Sequence, residues 1–218
     1  MTLPQSLVVF DNLDKGFHEN WQDKASLIDF PHPFRMLLSG GVNSGKTSTL
    51  KNVIMHQTPP FDAVVVIHCD AEHTREYEDI KSCIMLSEVP SPDEWPDNRK
   101  LCVILEDLCY KQMSKQQRCN VDRLLGYCST HKNISVMLTQ QDLYSLFPAA
   151  RRMCNIFILW KSTDKDAASQ IGRKIGLDNK ELKTLLGGLK KTTDSLWIDM
   201  THDSPAKLRI NGFEVIKK

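Results

Sequence analysis

Gly40-Gly41-Val42-Asn43-Ser44-Gly45-Lys46-Thr47 fits the phosphate-binding loop pattern G-x-x-x-x-G-K-[ST] at each fixed position. Its flanks decide the fold. Before it, Phe34-Arg35-Met36-Leu37-Leu38-Ser39 reads as a short buried strand, and after it residues 47–56 read as a helix. Strand, glycine loop and helix N-terminus together receive nucleotide phosphates, because the unpaired N–H groups of the loop and first helical turn converge on one spot. Glycine permits the positive φ angles and the close backbone approach that such a loop needs. In this frame Gly40, Gly41, Val42, Asn43, Ser44, Gly45 and Ser48 form the phosphate cradle, Lys46 reaches the β/γ oxygens and the Thr47 hydroxyl is a ligand for Mg²⁺.

Working outward, strand and helix patterns alternate as in a parallel sheet covered on both faces. Ala63-Val64-Val65-Val66-Ile67-His68 is a continuous β-branched run, the composition of a strand buried on both sides. Residues 70–99 are charged and proline-rich, with a short strand expected at 83–86 and an exposed excursion around it. A third strand, Leu101-Cys102-Val103-Ile104-Leu105, ends in Glu106-Asp107. Ser114 followed by Gln117 predicts a capping box and one helix over 115–129. Ile134-Ser135-Val136-Met137-Leu138-Thr139 and Ile156-Phe157-Ile158-Leu159-Trp160 give strands four and five. Helices are predicted over 165–175 and 179–186, the second capped by Asp178 with Glu181 and stopped by Gly187-Gly188. Segments 195–199 and 208–215 read as a terminal hairpin around Ser204-Pro205. Residues 1–33 form a lead-in with a possible edge strand at Leu7-Val8-Val9-Phe10, and residues 34–218 form a single domain.

Composition narrows the function classes. A chain of 218 residues, 41% hydrophobic and 25% charged, is long enough for one α/β domain with a full core and short for two. The net charge of +1 gives no global basic field, so any nucleic-acid contact must come from a local patch. Seven cysteines without a C-x-x-C pair argue against a disulfide framework or a zinc site, and hence for a reduced, intracellular setting. Neither a membrane span nor a signal peptide is visible.

Hydrolysis needs more than a phosphate loop. Two acids at the C-terminal end of a buried parallel strand sit at the open end of the sheet beside the phosphates. By position Glu106 takes the Mg²⁺ shell and Asp107 the attacking water, against the more usual Asp-then-Glu order. Gln140, at the end of strand four, is the expected sensor of the γ-phosphate, with Gln141 as its competitor. Arg151 and Arg152, just before strand five, offer an arginine that reaches a neighbouring subunit's nucleotide, or else a solvated pair on a loop.

These motifs, in series, resemble the viral genome-packaging ATPases of the FtsK–HerA superfamily, the type shared by poxviruses, giant viruses, virophages and Maverick/Polinton elements. The similar stretches are residues 37–47, 103–108, His131-Lys132-Asn133-Ile134-Ser135-Val136-Met137-Leu138-Thr139-Gln140, residues 151–161, Asp166 with its helix, and Leu196-Trp197-Ile198-Asp199-Met200. They span roughly residues 34–212. The resemblance implies an α/β P-loop NTPase of the ASCE type with core strand order 5-1-4-3-2. It also implies a homo-oligomeric ring, ATP and Mg²⁺ as cofactors, and ATP-driven movement of viral double-stranded DNA into a preformed capsid at intracellular assembly sites. Candidate backbone grips are Lys111, Lys115, Arg118, Arg123, Lys161, Lys165, Arg173 and Lys174, each of which also reads as an ordinary solvated charge. Two rival readings stand beside this one: a P-loop kinase for a small molecule or nucleotide, and a non-hydrolysing subunit that uses ATP as a docking switch.

Overall fold

The computed structural model describes residues 19–143, 146–161, 163–201, 204 and 206–217, with Lys165 and Ala167 described by their backbone alone. The expected edge strand at Leu7-Val8-Val9-Phe10 and the proline of the Ser204-Pro205 turn lie outside the described residues.

One sheet carries β1 (Arg35–Ser39), β2 (Ala63–Ile67), β3 (Cys83–Leu86), β4 (Leu101–Glu106), β5 (Ile134–Gln140), β6 (Ile156–Trp160), β7 (Ser195–Asp199), β8 (Leu208–Ile210) and β9 (Glu214–Val215). Its order is β3-β2-β4-β5-β1-β6-β7-β8-β9. Pairing is parallel from β3 to β6 and antiparallel from β6 to β9. The five expected core strands run consecutively as β6-β1-β5-β4-β2, which is the implied order 5-1-4-3-2. The sheet is wider than those five, with β3 added at one edge and three antiparallel strands at the other. Residues 208–215, expected as one hairpin arm, split into β8 and β9 because Asn211 (φ 51) and Gly212 (φ 85) turn the chain through left-handed backbone.

Strand residues alternate between two cores, as the period of two requires. Met36, Leu38, Val64, Val66, Cys102, Ile104, Ile156 and Ile158 face α1 (Lys46–Met55), which buries Leu50 and Val53 against them. Leu37, Val65, Ile67, Val103, Leu105, Val136, Leu138, Phe157 and Leu159 face the opposite layer. That layer holds α2 (Lys115–Arg123), α3 (Ser129–His131), α4 (Pro148–Met153), α5 (Lys165–Lys174) and α6 (Asn179–Gly188). The lead-in residues from 19 onward complete the α1 face: Trp21, Ile28 and Phe30 are buried there, and Glu19 pairs with Lys24 and Lys100.

Four expectations about the helical layer need correction. The single helix over 115–129 is interrupted by a π-helical turn at Leu124–Cys128, with Gly126, the weakest helix former of the run, in its middle. The Gln117 side chain does not return to its cap. Its Oε1 accepts from the Val89 N–H (2.8 Å) and its Nε2 donates to the Val89 carbonyl (3.3 Å), satisfying a backbone pair of the 87–99 excursion. Helix α6 runs through Gly187 to Gly188 rather than stopping before them. The short helix α4 sits where the sequence suggested a loop carrying an arginine pair. Six residues are too few for an apolar period, and Pro148 at its first turn is its main signal.

Candidate functional site

The phosphate loop leaves the C-terminal end of β1 between β5 and β6. The Gly40 N–H donates to the Gln140 carbonyl (3.1 Å), fixing the start of the loop to β5. Asn43 (φ 59) and Gly45 (φ 100) turn it, and Lys46 becomes the first residue of α1. There is no room for a side chain at Gly40. A Cβ there would lie 2.7 Å from Ser44 Oγ and 2.9 Å from the Trp160 Cβ, so the last residue of β6 forms the floor of the cradle. Lys46 Nζ donates to the carbonyls of Gly40 (2.8 Å) and Gly41 (3.0 Å), arching over the loop.

A cleft of about 770 Å³ opens above this loop. One wall is the loop and first helical turn, residues 42–48. The other is formed by Glu106 at the end of β4, Asp107 just after it, Gln141 after β5, and His68, His73, Thr74, Arg75 and Glu76 after β2. All these segments follow the C-terminal ends of parallel strands, where open α/β sheets place their ligands.

The two acids after β4 occupy different environments. Glu106 is half-buried, and among the described residues its Oε2 has no hydrogen-bond partner. Burial pushes its carboxyl above the ordinary range, the nearby Tyr77 hydroxyl pulls it back, and Glu76 and Asp107 add like charge. Asp107 is exposed and held in left-handed backbone (φ 43) by its N–H, which donates to the Thr139 carbonyl (3.2 Å) and Oγ1 (3.1 Å). Its Oδ2 accepts from Gln141 Nε2 (3.1 Å). The Thr47 hydroxyl donates to Glu76 Oε2 (3.3 Å).

Of the residues expected from sequence, the structure brings Val42, Asn43, Ser44, Gly45, Lys46, Thr47, Ser48, Glu106 and Asp107 around one cleft. Gln140 is not among the lining residues: it is buried and donates to the Leu108 carbonyl (3.3 Å), while Gln141 stands in the cleft. The physical reason is the pleat, since the two residues point to opposite sides of the strand end. Arg151 and Arg152, on α4, do not line this chain's cleft either. Arg151 donates to the Leu143 carbonyl, and Arg152 is exposed. Among the expected cationic grips, Lys111, Lys115, Arg118, Arg123, Lys161, Arg173 and Lys174 are exposed, and Lys174 also donates to the Arg152 carbonyl (2.6 Å). The side chain of Lys165 lies outside the described residues. Sequence reading missed the 68–76 wall. Its signal was available in the charged run directly following β2, which the strand order sets beside β4.

The donor set suits a nucleotide polyphosphate with a divalent cation. The backbone cradle is closed to a side chain at Gly40, the Lys46 ammonium arches over it, the Thr47 hydroxyl stands at its edge, and the Glu106 carboxylate lines the same cleft. Mg²⁺ favours one or two carboxylates together with phosphate oxygens over an all-protein cage, which fits this set.

No protein-family model matches the chain, and no curated protein matches its sequence. Solved structures do. The genome-packaging NTPase B204 of Sulfolobus turreted icosahedral virus 2, in complex with AMPPCP, aligns with a TM-score of 0.59 at 15% identity, covering 85% of this chain and 99% of that one. The conjugation coupling protein TcpA of pCW3, in its monomer form with ATPγS, aligns at 0.55 and 13% identity over 85% of this chain and 60% of that one. EccC of Thermomonospora curvata (ATPases 2 and 3) aligns at 0.51 and 12% identity over 86% and 37%. At these identities the shared property is architecture: the chain has the fold of a viral genome-packaging NTPase, of a conjugation coupling protein and of the ATPase units of EccC, the P-loop fold that its sequence motifs resemble.

Proposed function

We propose that this protein is an ATP-hydrolysing motor subunit that assembles into a homo-oligomeric ring and drives double-stranded DNA into a viral capsid inside the host cell. The observation that carries the reading is the convergence of Lys46, Thr47, Glu106 and Asp107 on one cleft at the open end of a packaging-NTPase fold. Lys46 gives up its two loop carbonyls to bind the β/γ oxygens, and the loop N–H groups share the remaining phosphate charge. Bound Mg²⁺ would supply electrostatic stabilisation of the phosphate oxygens, with Thr47 and Glu106 as its protein ligands. Asp107, exposed to solvent and fixed through Thr139, orients and accepts a proton from the attacking water. Gln141 replaces Gln140 as the amide on the γ-phosphate side, because its Nε2 already meets Asp107. Gln140 instead tethers the loop through its carbonyl.

Arg151 and Arg152 do not line their own chain's cleft, which leaves them to act on a neighbouring subunit's nucleotide. Such a residue makes activity depend on assembly. The test is ATPase rate per subunit against protein concentration, with and without double-stranded DNA, for wild type, Lys46→Ala and Arg152→Ala. A rate that rises with concentration and DNA and collapses in both variants supports the motor. A flat rate indifferent to DNA overturns it and turns attention to phosphoryl transfer onto a small acceptor, while tight binding without turnover points to the switch.

A further inference from the structure

The wall opposite the phosphate loop contains an acid that the motif reading does not use. Glu76 follows β2, lines the cleft, and accepts the proton of the Thr47 hydroxyl through Oε2 at 3.3 Å. A threonine hydroxyl has one proton and two lone pairs. If its proton is directed to Glu76, its lone pairs are free to turn toward a cation over the phosphates. The next residue shows why Glu76 is held there. Tyr77 is 1% exposed and packed in the α1-side core, anchoring the segment to the sheet. Its hydroxyl interacts with the Glu106 carboxylate and with the Thr47 hydroxyl, so the segment that carries Glu76 is tied to the same acid that ends β4.

We propose that Glu76 is a positioning residue of the metal side of the site, orienting the Thr47 hydroxyl and adding a second negative charge next to Glu106. This rests on the nucleotide reading above. It accounts for the inverted order of the two acids after β4. The metal side is built across the cleft from Glu76, Thr47 and Glu106, which leaves Asp107 to pair with Gln141 on the water side. The neighbouring Arg75 does not neutralise Glu76, since its guanidinium is bound to Glu78 (2.5 Å).

The experiment measures affinity for a fluorescent, non-hydrolysable ATP analogue, once in excess Mg²⁺ and once in EDTA, on the full chain. The ratio of the two affinities isolates the metal's contribution from that of the loop, and needs no turnover. Glu76→Ala is expected to lower this ratio about tenfold or more, as outer-shell partners of metal ligands do. Affinity in EDTA should be unchanged or tighter, because a negative charge beside the phosphates is gone. Glu76→Gln, which still accepts the Thr47 proton but carries no charge, should fall between Ala and wild type. Glu72→Gln, an exposed acid on the same segment that does not line the cleft, is the control for net charge. An unchanged ratio in Glu76→Ala overturns the role of Glu76 alone. A wild type that binds no analogue, or binds it equally with and without Mg²⁺, overturns the nucleotide reading and this proposal with it. Because Glu76 is exposed, the variants should fold, and unchanged thermal midpoints would establish that they do.

Discussion

Glu106 bears a cost in the ligand-free protein that its neighbours only partly offset. A carboxylate drawn into a half-buried strand end with one oxygen unpaired is disfavoured in its charged form, and burial accordingly raises its pKa. A raised folded-state pKa in an acid means that the native chain holds the proton more tightly than the unfolded chain. The penalty is therefore fully present above the folded pKa, fades as pH falls from there toward the unfolded carboxyl's value of about 4.3, and is absent below it. Glu106→Gln should consequently raise the thermal midpoint at pH 8, with the gain shrinking toward pH 4, as followed by circular dichroism. In Mg²⁺ with nucleotide the order should reverse, the wild type gaining midpoint and the variant gaining little. Such an exchange of stability for function is common at sites built to receive charge. At this scale the sequence was most readable where position is fixed by spacing, as at Lys46 and Thr47, which both line the cleft. It was least readable where a one-residue step reverses direction: Gln140 and Gln141 differ only in which side of the pleat they occupy, and nothing in a lone sequence counts that register.

Helix ends show how local rules and tertiary demands compete. At α6 both legs of the cap are made: Asp178 Oδ1 accepts from the Glu181 N–H (2.7 Å) and Glu181 Oε2 from the Asp178 N–H (3.1 Å). Asp178→Ala should cost about 1 kcal/mol, measurable as a lower urea midpoint with an unchanged slope. At α2 the same type of motif was only half obeyed, because Gln117 found a better use in holding the Val89 main chain. Strands were legible almost to the residue, since continuous apolar runs bounded by charge have few other readings. The helical layer over the second core was less so. The π turn at Leu124–Cys128 and the short α4 have no periodic signature, and both exist because the chain must return to the next strand within few residues.

Across the whole molecule, one buried ion pair ties the two ends of the described chain together. Arg209 and Asp199 are both fully buried, their contact is 3.1 Å, and the guanidinium also reaches the Leu27 carbonyl among the rings of Trp21, Phe30 and Trp197. Asp199 further accepts from the hydroxyls of Thr201 (2.6 Å) and Ser204 (3.1 Å). Asp199→Ala strands a buried cation and should destabilise the protein by about 3–5 kcal/mol in chemical denaturation. No spacing or motif points to this contact, because its partners are brought together by the sheet edge. The order of the central strands was implied by the resemblance, whereas the widening of the sheet by β3 and β7–β9 adds edges that a five-strand reading does not include. The floor of the phosphate cradle has a consequence of another kind. Trp160 is one of four tryptophans in the chain and lies directly under Gly40. On the function proposed above, Lys46 releases the loop carbonyls to take hold of a ligand, and the polarity around that indole should then change, which would make the site its own optical probe. A chain stripped of its other indoles would let occupancy be followed by emitted light, in real time and without any label.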